Sequence, residues 1–122
     1  MRSFTCQCGA TLFFASHRCV ACSRTTAMCP SCQNVAAMEP ADDGAWTCQS
    51  CNALLKFCSN YVEHSACNRG VPIEDEEPLC RYCRLNEIIP DLSIDGNLLK
   101  WQRLETAKHR VLYDVDRIGF PI

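Results

Sequence analysis

The chain has 122 residues, 12 of them cysteine, and a formal net charge of −2. That length fits one compact domain or a string of very small ones, and a cysteine content near a tenth points to metal binding or a disulfide scaffold. No run approaches the ~20 apolar residues of a membrane span, and LFFA (Leu12 to Ala15) is too short for the apolar core of a signal peptide, so the expected location is the cytoplasm, where structural disulfides are rare.

Residues 1–26 read as a first zinc ribbon. CQC and CVAC place Cys6, Cys8, Cys19 and Cys22 as two close pairs. Two thiolates in one tight turn supply half of a tetrahedral site, and a second such turn completes it, with Zn–S distances of about 2.3 Å. Gly9 suits the left-handed backbone that such a turn needs. His17, two residues before Cys19, reads as a polar loop residue.

Residues 27–56 read as a second ribbon, with Cys29, Cys32, Cys48 and Cys51 as its ligands. Pro30 sits inside the first knuckle, ADDG (Ala41 to Gly44) is a turn signal, and Trp46 lies just before the returning knuckle. Residues 57–90 read as a third four-cysteine module, built from Cys58, Cys67, Cys80 and Cys83. Eight residues separate its first two cysteines, which makes a loop rather than a knuckle. His64 lies in that loop and reads as polar, and EDEE (Glu74 to Glu77) as a solvated stretch.

Residues 91–122 read as a linker and a long helix. Leu98, Trp101, Leu104, Val111, Val115 and Ile118 recur at helical spacing. Ser93 or Asp95 can cap the start, and Gly119 followed by Pro121 can end it. A helix from about 96 to 118 would be roughly 35 Å long. Its apolar stripe has two candidate partners, the third zinc module or a surface outside this chain. Residues from about Leu112 to Ile122 are expected at a chain–chain contact or facing a further domain. His109, between Lys108 and Arg110, is expected on the exposed polar face.

The fold class expected is a small zinc-organised α+β protein: tandem zinc-ribbon or knuckle modules with short β-hairpins and one long C-terminal helix. Twelve cysteines make three four-cysteine sites with none left over, hence three structural zinc ions. Iron–sulfur centres also use four thiolates, but the repeated knuckle spacing favours zinc. Pairing in chain order is favoured over a cross-brace, in which the first and third pairs would share one ion and the second and fourth another, as in RING-type modules.

Function is less legible. A zincin needs His-Glu-x-x-His, and the three histidines here precede Arg18, Ser65 and Arg110. The inverted motif fails as well, because Asn60 stands where its first histidine would be. Four-cysteine sites leave no position for a water, so no catalytic residue is assigned and the chain reads as a non-enzyme. Three zinc tetrathiolates would carry the net charge to about −8, which disfavours nucleic acid even though residues 1–38 hold Arg18 and Arg24 and no acidic side chain. A protein partner, or self-association through the helix, is the better expectation. A RING-like module that recruits an enzyme, or a nucleic-acid-binding ribbon, is the alternative.

The segments FCSNYVEHSACN, PLCRYCRLNEIIPDLS and NLLKWQRLETAKHRVLYDVDRIGFPI resemble the amino-terminal part of a bacterial family of zinc-ribbon-containing, zinc-binding metallopeptidases. The resemblance runs from Phe4 to the end and is most specific from Cys58 to Ile122. It implies that a longer domain carrying an H-E-x-x-H helix follows, making that peptidase domain the expected partner. One feature departs from the pattern: the family often lacks cysteines matching Cys29 to Cys51, so the second site would mark a subset.

Overall fold

Short hairpins dominate the first half of the chain because each cysteine pair forces a turn. A computed structural model describes residues 3–121; Met1, Arg2 and Ile122 lie outside them. Strands β1 (Phe4–Thr5) and β2 (Thr11–Leu12) form a two-stranded antiparallel ribbon. Strands β3 (Thr26–Met28), β4 (Val35–Pro40), β5 (Trp46–Cys48), β6 (Leu54–Phe57) and β7 (Gly70–Pro72) follow in one antiparallel sheet, in chain order. Its edges approach each other where Met28 bridges Arg69, and the Met28 amide donates to the Asn68 carbonyl at 2.7 Å. One sheet therefore spans the second and third cysteine segments.

The knuckles share one backbone device. The amides of Ser23, Gln33 and Asn52 donate back to the carbonyls of Cys19, Cys29 and Cys48 at 2.8–3.0 Å. Each of these three residues lies in the left-handed region, at φ 65°, 59° and 63°. At the shorter CQC turn Gly9 does the same with Cys6, at φ 93°. The glycine expectation thus holds at Gly9, while the other knuckles reach the same geometry without glycine.

Strand β4 is buried on both faces. Val35 and Ala37 point into a cluster with Phe4, Leu12, Phe14, Met28, Tyr82 and Tyr113, whereas Ala36 and Met38 pack with Ala27, Cys29, Cys48 and Leu55. The alternation follows from the two-residue period of a strand. Trp46, Phe57 and Tyr61 stack at 4.7 and 4.6 Å between centroids, and the Tyr61 hydroxyl donates to the Thr26 carbonyl at 2.6 Å. Tyr61 belongs to the short helix α1 (Ser59–His64), so this stack ties the sheet to the third cysteine segment.

Helix α2 (Asn97–Arg117) has the expected extent, and Gly119 follows it at φ 89°. Its N-cap is Gly96, without a side-chain cap, rather than Ser93 or Asp95. Asp91 instead accepts from the Ser93 amide and hydroxyl, and the Asn97 side chain donates to the Asp91 carbonyl. The apolar stripe also needs correction. The buried face is Trp101, Glu105, His109 and Tyr113, at four-residue spacing, while Leu104, Val111 and Ile118 are 70, 62 and 71 % exposed and Leu98 and Leu99 are exposed too. His109, expected on the outside, is only 4 % exposed.

The helix docks through hydrogen bonds more than through aliphatic contact. Tyr113 donates to the Gln33 carbonyl at 2.9 Å, Gln102 to the His64 carbonyl at 2.7 Å, Tyr82 to Asp116 at 2.8 Å, and Lys108 to Asn86 at 2.7 Å. The Tyr113 ring meets Phe14 edge-on at 5.3 Å. All three cysteine segments therefore touch α2. The small α+β class, the hairpins and the single long C-terminal helix are as expected from sequence. No helix among the described residues is long and apolar enough to cross a membrane.

Candidate metal centres

The cysteine sulfurs converge in three groups, in chain order: Cys6, Cys8, Cys19 and Cys22; then Cys29, Cys32, Cys48 and Cys51; then Cys58, Cys67, Cys80 and Cys83. Within each group all ligand atoms lie within 4.8 Å of one another, and the cross-braced arrangement does not occur. All twelve cysteines are free of disulfides.

The separations test whether a metal fits. Cys6 lies 3.6 Å from Cys22, Cys8 3.6 Å from Cys19, Cys29 3.6 Å from Cys51, Cys32 4.0 Å from Cys48, and Cys67 3.8 Å from Cys80, all between Sγ atoms. A disulfide needs about 2.05 Å. Four sulfurs placed about 2.3 Å from a central ion at tetrahedral angles stand roughly 3.8 Å apart. The observed separations are the edges of that tetrahedron. Four thiolates without a water position suit a closed structural site, and a zinc ion held there would supply charge neutralisation and cross-linking.

The knuckle backbones also point donors at the sulfurs. The Ser31 amide reaches Cys29 Sγ at 3.4 Å, the Arg69 amide reaches Cys67 Sγ at 3.2 Å, and the Cys80 amide reaches Cys58 Sγ at 3.3 Å. Such donors favour the thiolate form. The Cys22 amide is the main reason that Cys19 falls to about 6. In the third group, hydrogen bonds from Cys67, Cys80 and Cys83 drive Cys58 far below the usual thiol range, and the same contact with Cys58 pushes Cys67 far above it. Crowded sulfurs cannot all ionise on their own, and a dication at their centre removes that conflict.

The groups differ in exposure. In the first two, Cys8 and Cys51 face solvent and Cys22 and Cys32 are half-buried, whereas all four cysteines of the third are buried. The third group is also built differently. Cys58 caps α1, Cys67 precedes β7, and Cys83 opens a single 3-10 turn ending at Leu85. The two residues after Cys67 then reach other segments. Asn68 donates to the carbonyls of Phe14 and Ser16 at 2.7 and 3.0 Å, joining the first segment to the third. Arg69, 2 % exposed, stacks on Tyr82 at 4.2 Å and donates to Gln33 Oε1 at 3.1 Å.

Of the histidines, His17 and His64 stay outside the sulfur groups. His17 lies 4.5 Å from the Tyr61 ring, and burial lowers its pKa; His64 meets Trp101 edge-on at 5.5 Å. His109 is different, since its Nε2 lies 3.6 Å from Cys83 Sγ. Its neighbour Glu105 is buried on the same face of α2. Burial raises the Glu105 pKa, but contacts with His109 and Lys108 outweigh it and bring it to about 2, so the side chain is a carboxylate. The sequence reading singled out neither Asn68, Arg69 nor Glu105, and it placed His109 on the exposed face. The one available signal was the four-residue spacing of Glu105 and His109 in line with Trp101 and Tyr113.

A family model described as a zinc-ribbon domain matches residues 3–94. Uncharacterized proteins of Mycobacterium bovis and of two strains of Mycobacterium tuberculosis are each 29 % identical over 123 residues, which is 100 % of this chain and 33 % of theirs. The chain thus spans about a third of the length of the curated relatives it matches. No solved structure gives a significant match.

Proposed function

The chain belongs to the zinc-ribbon domain family, and from that premise we propose that it is a structural module holding three zinc ions, which serves as the non-catalytic region of a longer metallopeptidase and works by binding protein. The observation that carries this reading is the closed donor set: every cysteine is committed to a four-thiolate group that leaves no position for a water or substrate. Zinc is the ion of choice because hairpin knuckles with tetrahedral thiolate spacing suit its coordination. The peptidase setting draws on the resemblance of Cys58 to Ile122 to that family and on the greater length of the relatives. The cytoplasm is the proposed compartment, since twelve free thiols need reducing conditions or bound metal.

The binding surface in this proposal is the outer face of α2. Leu104, Val111 and Ile118 are seven residues apart and share one exposed line, extended by Phe120 at 61 % exposure. A continuous apolar strip of this kind favours docking. The occupant we propose is a further domain of the same polypeptide. Nucleic acid fits less well: the charge is negative, and Arg24 in the acid-free stretch is already engaged by Glu39 at 3.6 Å. A RING-like role loses its geometric basis with pairing in chain order.

The test replaces Leu104, Val111 and Ile118 with serine, both in the 122-residue chain and in a longer protein that contains it. In the longer protein, amides of α2 are expected to exchange faster after the change, while the chain alone stays folded and unchanged in mass. A wild-type chain that dimerises in solution and becomes monomeric on substitution would replace the proposed occupant by a second copy. Zinc-dependent peptide hydrolysis by the purified chain alone would overturn the non-catalytic assignment.

A further inference from the structure

Between α2 and the third sulfur group lie two buried side chains that four-thiolate coordination does not use. His109 Nε2 is 3.6 Å from Cys83 Sγ and 3.5 Å from Glu105 Oε2, and all three residues are buried. An imidazole nitrogen carries at most one proton, so sulfur and carboxylate compete for it. Glu105 has other partners: Lys108 Nζ at 2.9 Å from Oε2, and the Trp101 indole N–H donating to Oε1 at 3.2 Å. For the sulfurs, Cys58 and Cys67 each receive a backbone amide, and at Cys83 the polar group within reach is His109 Nε2.

A zinc tetrathiolate carries two excess negative charges. Where all four ligands are buried, donors to sulfur must take the place of water. Three further anchors of α2 lie on the short stretch around Cys83, beside those that Gln102 and Tyr113 make to the His64 and Gln33 carbonyls. Tyr82 binds Asp116, Asn86 binds Lys108, and Arg81 pairs with Asp116 at 3.2 Å. Residues 81–86 surround Cys83 and make only a single 3-10 turn, so the ligand is a fixed point for them beside the Tyr82 stack on Arg69 and the Arg84–Asp75 pair.

We infer that His109 is an outer-sphere partner of the third centre, donating its Nε2–H to the Cys83 thiolate, and that this bond makes the docking of α2 depend on metal at that centre. The inference rests on the reading of the third group as a zinc site. It also makes α2, with its exposed apolar line, a reporter of metal loading: zinc organises residues 80–86, these hold His109, Lys108 and Asp116, and the helix is fixed in place. His109 is a positioning residue here, not a ligand. The nearby Lys108 ammonium disfavours a further cation at the Cys83, Glu105 and His109 trio.

The test uses the whole chain with His109→Ala, His109→Gln and Cys83→Ser. Wild type is expected to hold three metal ions and His109→Ala still three, with affinity at one of the three lowered about 10–100-fold. With cobalt in place of zinc, the sulfur-to-metal charge-transfer band is expected to shift in His109→Ala and to return toward wild type in His109→Gln, whose amide N–H can reach the same sulfur. Hydrogen exchange of α2 amides is expected to accelerate in His109→Ala and Cys83→Ser while β3 to β5 keep their protection. Unchanged α2 protection in both variants would overturn the inference. So would four metals in wild type falling to three in His109→Ala, which would make His109 an inner ligand. Two metals in wild type would overturn the three-site reading itself, and the count alone separates that failure from the others.

Discussion

Arg69 is buried, and among the described residues no carboxylate forms an ion pair with it. Its guanidinium lies 4.2 Å over the Tyr82 ring and donates to Gln33 Oε1, while its backbone N–H serves Cys67 Sγ and its carbonyl accepts from the Cys58 amide. A buried cation is costly alone, and here the aromatic face, the amide oxygen and the neighbouring thiolates share its charge. Arg69→Met keeps most of the stem but loses the charge and the hydrogen bond. It is expected to lower stability by about 1–3 kcal/mol, read as a lower denaturant midpoint of the zinc-loaded chain. A midpoint equal to or above wild type would show that Arg69 only fills space. Nothing in the spacing of residues around Arg69 marked it, because its partners come from Gln33 and Tyr82, far away in sequence. Sequence reading identifies ligands from local spacing and misses neighbours assembled from three segments.

Among the elements, the knuckles were the most legible and α2 the least. The pairs Cys19/Cys22, Cys29/Cys32 and Cys48/Cys51 announce tight turns, and the structure gives each the same hydrogen-bonded loop. The cost falls on Ser23, Gln33 and Asn52, which sit in the left-handed region. Ser23 is exposed there, so its substitutions isolate the backbone effect. Ser23→Val is expected to cost about 1–2 kcal/mol, and Ser23→Gly to match or exceed wild type; thermal unfolding of the two variants measures both, and a valine variant as stable as wild type would contradict the shared-turn account. In α2, periodicity located the helix and its end but assigned the wrong face inward. Leu104, Val111 and Ile118 form a genuine apolar line, and hydropathy alone places such a line in the core. What prevailed was the hydrogen-bonding of the opposite face, where Trp101 donates to Glu105, His109 meets the Cys83 sulfur and Tyr113 donates to the Gln33 carbonyl. The part of the C-terminal expectation that concerns Ile122 lies outside the described residues. Exposed Val111, Ile118 and Phe120 nonetheless leave the apolar surface that was expected near the last turns.

For the molecule as a whole, the cores and the metal sites are one structure. Cys29 and Cys48 sit in one apolar cluster with Leu55 and Met38; Cys6, Cys19, Cys58, Cys67, Cys80 and Cys83 sit in the other with Phe4, Phe14 and Tyr113. Segments of about 30 residues bury too little apolar surface to fold unaided, and metals commonly stand in for the missing core. Binding energy at such sites is folding energy. Sites one and two have partly exposed sulfurs, while site three is enclosed, so a chelator should strip the first two before the third. Native mass spectrometry of the chain purified under reducing conditions, followed through chelation, counts the ions and shows what each one holds together. Three zinc ions per chain are expected, two lost early and the third lost together with the compact charge-state distribution; a chain that carries fewer than three, carries iron, or stays compact with no metal would refute the three-site structure.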